Sequence, residues 1–111
     1  MDLLVELRKL QGKRLLTIYQ KKPFEITQVS NNQIVIKTST ESNRPIPLKE
    51  ITLAWNHLEK HKKLTRGEIQ GLGYSELNPA YVVAILASLP EVTHTLSPII
   101  LQLKNTYEPT T

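Results

Sequence analysis

His57 and His61 stand four residues apart in "NHLEKH". On a helix that spacing puts two imidazoles on one face, where they can hold a metal ion. A zinc-protease pattern would need Glu directly after the first histidine, but Leu58, Glu59 and Lys60 fill the gap. The remaining histidine, His94, belongs to another element, and the chain has no cysteine. Both helical histidines lie roughly opposite Trp55 and Leu58, which predicts two solvent-facing side chains and no metal or other cofactor.

Nucleophilic chemistry fares no better. "GYSEL" (73–77) has the first half of a nucleophile elbow, but Leu77 takes the place of the second glycine. Ser75, the adjacent Glu76 and the distant His94 do not make a triad, because serine needs an oriented base and an oxyanion site. Three of the four glycines fall between 67 and 73. No Gly-Lys-Ser/Thr follows them, and the segment follows no predicted strand, so they read as turns rather than a phosphate loop. No small-molecule substrate is evident, and the expectation is a protein that is not an enzyme.

Charge says more. The chain of 111 residues carries a net +4, unevenly spread. Residues 1–66 hold 13 Lys and Arg against six acids, leaving +7; residues 67–111 hold one against four, leaving −3. A basic front suits an anionic partner. The densest cations are Lys60, Lys62, Lys63 and Arg66, joined by His61, with Lys21-Lys22 in a separate turn. Helix C-termini and β-turns favour cations on structural grounds, which accounts for part of the cluster. The rest can contact phosphates, where Lys acts as a point charge rather than a base reader.

The elements that position these residues follow from periodicity. Asp2 to Leu10 reads as a short helix, with Leu3, Leu7 and Leu10 on one face and Gly12 as its stop. Arg14 to Thr38 reads as a three-stranded meander: "RLLTIYQ", a turn at Lys21-Lys22-Pro23, "FEITQVS", a turn at Asn31-Asn32, and "QIVIKTS". Phe24 and Ile26 share a parity that Val29 breaks, which predicts a bulge. After a polar turn at Thr40–Asn43, "RPIP" (44–47) adds a short edge strand. Leu48 to Lys62 is a helix with a stripe of Leu48, Ile51, Trp55 and Leu58, reinforced by Ala54. Thr65 and Glu68 form a capping box for a short second helix, with Leu64 and Ile69 as its staple and Gly71 and Gly73 ending it. "EVTHTL" and "IILQLK" read as two strands around Ser97-Pro98, and residues 105–111 as a frayed tail.

The most sharply marked helix is 79–89, within "LNPAYVVAILASLP". Asn78 is its cap, Pro79 opens it, Pro90 helps to close it, and Leu77 and Val82 are placed as a staple. Tyr81, Val82, Ile85, Leu86 and Leu89 share one broad side; Ala80, Ala84 and Ala87 share the other. A helix apolar all round is normally buried.

The order of three helices and two strands over 48–104 resembles a winged helix, with 92–103 as the wing. This is a likeness of architecture, without a specific family motif. It implies that the third helix reads base edges in a major groove. Here that helix carries no Lys, Arg or acid, so contacts would come from Tyr74, Ser75, Glu76, Asn78 or Tyr81 near its start.

The expected fold is therefore α+β in a single domain, 1–111: an N-terminal helix and antiparallel meander (1–47), a winged-helix-like half (48–104) and a tail. The expected function is nucleic-acid binding of low sequence specificity through Lys21, Lys22, Lys60, Lys62, Lys63 and Arg66. The alternative is a protein-interaction or homodimer module using the face of Ala80, Ala84 and Ala87. No apolar run approaches the roughly 20 residues of a membrane span, and "MDLLVELRKL" is too amphipathic and acidic for a secretory signal. A cytoplasmic location is the expectation, and none with the membrane as partner.

Overall fold

The computed structural model describes residues 2–104; the expected tail at 105–111 lies outside the described residues. Helix α1 (Leu3–Arg8) is capped by the Asp2 carboxylate, which accepts from Val5 N at 3.3 Å. Leu7 and Leu10 are buried, and Gly12 follows at φ 88°. Glycine takes that left-handed value without the Cβ clash other residues meet.

Strands β1 (Arg14–Leu16), β2 (Pro23–Val29), β3 (Gln33–Lys37) and β4 (Asn43–Pro47) form an antiparallel sheet in chain order. The expected meander and its edge strand are both present. Ile26 faces Ile36 while Gln28 faces Val35, so Thr27 is the extra residue of the expected bulge. Phe24, Ile26 and Val29 are thereby all buried despite their broken parity. One strand is shorter than expected. Thr17–Gln20 leave the ladder because Thr17 closes a turn. Its N–H donates to Lys22 O (2.9 Å), its carbonyl accepts from Lys21 N (3.0 Å), and its hydroxyl accepts from Lys22 N (2.9 Å).

Helix α2 (Leu48–His61) buries Ile51, Ala54, Trp55 and Leu58, the expected stripe. It ends at Lys62, which takes φ 68° and returns its N–H to Leu58 O. A strand not anticipated comes next. β5 (Lys63–Thr65) pairs with β7 (Ile99–Leu103), which also pairs with β6 (Val92–Leu96), giving the order β5-β7-β6. Three residues are too few to show a period. The glycine-rich segment therefore does follow a strand, but β5 runs straight into helix α3 (Arg66–Gly71) with no phosphate loop between them.

Helix α4 (Pro79–Ala87) packs against α2, α3 and both sheets. Val82, Val83, Ala84, Ile85, Leu86 and Leu89 are buried, so the two-sided apolar pattern is the pattern of a central helix. The buried side chains form one cluster drawn from both halves of the chain. Two expectations at its start are corrected. Leu77 is 78% exposed and makes no staple with Val82. Asn78 makes no side-chain capping bond; its amide turns inward instead, toward Glu50. No helix among the described residues is long and apolar enough to cross a membrane.

Candidate nucleic-acid interface

The capping box fixes the start of α3. Thr65 Oγ1 accepts from Glu68 N at 3.0 Å, and Glu68 Oε1 accepts from Thr65 N at 2.9 Å. Leu64 and Ile69 are fully buried beside it. The Thr65 N–H holds the Glu68 carboxyl below the usual glutamate range, and nearby His57 acts in the same direction.

His57 does not face solvent, contrary to expectation: its side chain is only 11% exposed. The α3–α4 turn folds over α2 and brings Tyr74 Oη to 3.1 Å from His57 Nδ1. His57 and His61 have ring centroids 4.4 Å apart, and His57 Nε2 lies 3.8 Å from Glu68 Oε1. That oxygen is already held by Thr65 N, and Lys63 lines the same cavity. Among the described residues no three His, Cys, Asp or Glu are grouped so as to hold a metal. His94 is exposed on β6.

Ser75 pairs not with Glu76 but with Glu50, 25 residues away, at 2.6 Å. Glu50 Oε1 also accepts from Asn78 Nδ2 at 3.1 Å, and Ser75 Oγ accepts from Asn78 N at 3.2 Å. Ser75 is 1% exposed and Asn78 5%. This buried knot ties the α3–α4 turn to the first turn of α2 and leaves Ser75 enclosed rather than displayed.

The six candidate cations are all exposed. Ion pairs among the described residues engage Lys9 with Glu6, Lys37 with Glu41, and His57 with Glu68; none engages a candidate. Lys37 and Glu41 meet at 2.9 Å, and their hydrogen bond raises the lysine pKa and lowers that of the glutamate.

The candidates fall into two groups. Lys22 lines a cavity of about 460 Å³ together with Arg44 and Tyr81. Arg44 donates to Leu77 O at 3.1 Å, and its guanidinium lies 5.4 Å from the Tyr81 ring centroid. The Tyr81 ring meets Phe24 edge-on at 5.1 Å. Arg66 lines a second cavity with Tyr19 and Gln20, from the same turn as Lys21 and Lys22. Turn 17–22 thus links Arg44 of the first sheet to Arg66 of α3, and both cavities are bordered by α4. Lys63 belongs elsewhere, beside His57 and Glu68. Lys60 and Lys62 flank the end of α2.

Sequence reasoning missed Arg44, Tyr19 and Gln20. The available signal was Tyr19-Gln20-Lys21-Lys22, an aromatic and an amide directly before two cations.

The three alanines form no common exposed strip. Ala84 is 4% exposed within the fold, and only Ala80 and Ala87 are half-buried. Comparisons with protein-family models, with curated proteins and with solved structures found no match.

Proposed function

We propose that this chain is a non-enzymatic nucleic-acid-binding domain of low sequence specificity that tracks phosphates along turn 17–22. The observation that carries the reading is turn 17–22, which holds Lys21 and Lys22 and lines one cavity with Arg44 and another with Arg66. These cations come from three separate elements and are bound to no acid among the described residues. Cations that are not satisfied by neighbouring carboxylates keep their charge available to a phosphate backbone.

The second half is read as winged-helix-like. Support comes from the order α2-β5-α3-α4-β6-β7 and from the sheet order β5-β7-β6, in which the last strand lies between the other two. In that architecture the third helix enters a groove. Helix α4 is poorly suited to this, because it has no cation and turn 17–22 lies over its Ala80 and Val83. The phosphate-binding role is therefore assigned to the covering turn and not to the helix. Docking through Ala80, Ala84 and Ala87 has less support, since Ala84 is enclosed.

Two triple variants test the assignment with equal loss of charge. One is Lys21→Ala, Lys22→Ala and Arg66→Ala; the other is Lys60→Ala, Lys62→Ala and Lys63→Ala. Binding of a labelled oligonucleotide is measured by anisotropy at low salt. The first variant is expected to lose about tenfold or more, nearly equally for unrelated sequences, and the second much less. Equal losses would reduce the assignment to net charge alone.

A further inference from the structure

We propose that the cavity beneath turn 17–22 receives one unstacked base of a single strand, with the flanking phosphates on Lys21 and Arg66; this rests on the nucleic-acid reading above. The cavity measures about 290 Å³, near the lower end of small-ligand sites, which suits one ring system. Its apolar floor is Ile18, Ala80, Val83 and Ile99. The Gln20 amide, with donors and an acceptor, lines it as well and can meet any base edge. Arg66 supplies a planar cation that both stacks on a π face and pairs with phosphate.

Tyr19 is the feature that otherwise lacks a purpose. It is 76% exposed, the second most exposed large apolar side chain in the described chain. It contributes almost nothing to the core, yet the turn that displays it is firmly built. Thr17 closes that turn with three hydrogen bonds, and Lys21 is held at φ 58°, a conformation most side chains avoid. An exposed aromatic beside cations, over an apolar floor, is the arrangement on which single-stranded bases stack. A duplex cannot use it without flipping a base, since its bases are already stacked and paired. The absence of a base-reading cation on α4 agrees with this choice of strand.

The test compares three labelled ligands of one sequence: a single strand, the same strand with abasic sites, and the duplex. The single strand is expected to bind about tenfold tighter than the other two. Tyr19→Ala and Ala80→Leu, the latter filling the cavity, should each remove most of that preference while leaving salt-dependent binding of the abasic strand intact. Tyr19 is exposed, so Tyr19→Ala carries the test even where Ala80→Leu does not fold. Equal affinity for the intact strand, the abasic strand and the duplex would overturn the base pocket and leave the phosphate track standing. No binding of any ligand at low salt would overturn both.

Discussion

Ser75→Ala should destabilise the protein well beyond an ordinary serine substitution. Ser75 Oγ donates to Glu50 Oε1 at 2.6 Å and accepts from Asn78 N at 3.2 Å. A hydrogen bond to a charged group is worth about 1.5–3 kcal/mol, and a buried donor left unpaired costs about 1–3 kcal/mol. The two do not simply add, because Glu50 is half-buried and can recruit water. The expected loss is about 2 kcal/mol, or roughly 10 °C in Tm for a domain of this size. Urea denaturation measures it directly, with Ser97→Ala in the exposed β6–β7 turn as control. A double-mutant cycle with Glu50→Ala should give a coupling of about 1 kcal/mol or more, and one with Glu76→Ala close to zero. A loss below about 0.5 kcal/mol, or no coupling to Glu50, would refute the reasoning that this knot anchors α4.

Three further substitutions probe the fold. Thr65→Ala should cost about 1 kcal/mol by removing the cap of α3, read by urea titration at neutral pH. The Glu68 pKa is lowered in the folded state, so its contribution is fully present above the ordinary value of 4.5 and is lost as pH falls through the lower folded value. Urea titrations of the unmutated chain carried progressively below pH 4.5 should therefore show stability falling, in part because the Thr65 backbone N–H, which Thr65→Ala retains, loses its carboxylate partner; stability that does not fall would remove the Glu68 carboxylate from the cap. Ile85→Asp, at a fully buried position, should abolish cooperative melting by burying an unpaired charge; a near-native melt would contradict the central placing of α4. Lys62→Gly should stabilise the chain by roughly 0.5–1 kcal/mol, because φ 68° is strained for lysine and free for glycine; a lower denaturation midpoint would show that other contacts of Lys62 matter more.

What was legible in the sequence had a period or a punctuation mark. The stripe Ile51–Trp55–Leu58 gave α2, the broken parity at Val29 gave the bulge at Thr27, and Thr65 with Glu68 gave the capping box. What was hidden depended on distant partners. Nothing local announces that Ser75 meets Glu50 or that Tyr74 covers His57. Leu77 and Asn78 carry the right types for a staple and cap, but the Asn78 Nδ2 donates to Glu50 while its Oδ1 caps nothing, and Leu77 is exposed. Strand β5 exists because β7 pairs with it, and a three-residue segment cannot declare that alone. The cation groups were visible as charge, but their division was not. Lys63 and Arg66 are neighbours in sequence and line different cavities, whereas Arg44 and Lys22 are distant in sequence and line the same one.

The salt dependence of binding to a labelled single-stranded oligonucleotide tests the phosphate track most directly. Each phosphate neutralised on a single strand contributes a log–log slope of about −0.7. Contacts from Lys21, Lys22 and Arg66 should give a slope of about −2, made shallower when all three are changed to Ala. No binding at low salt, or an affinity that salt leaves unchanged, would contradict it.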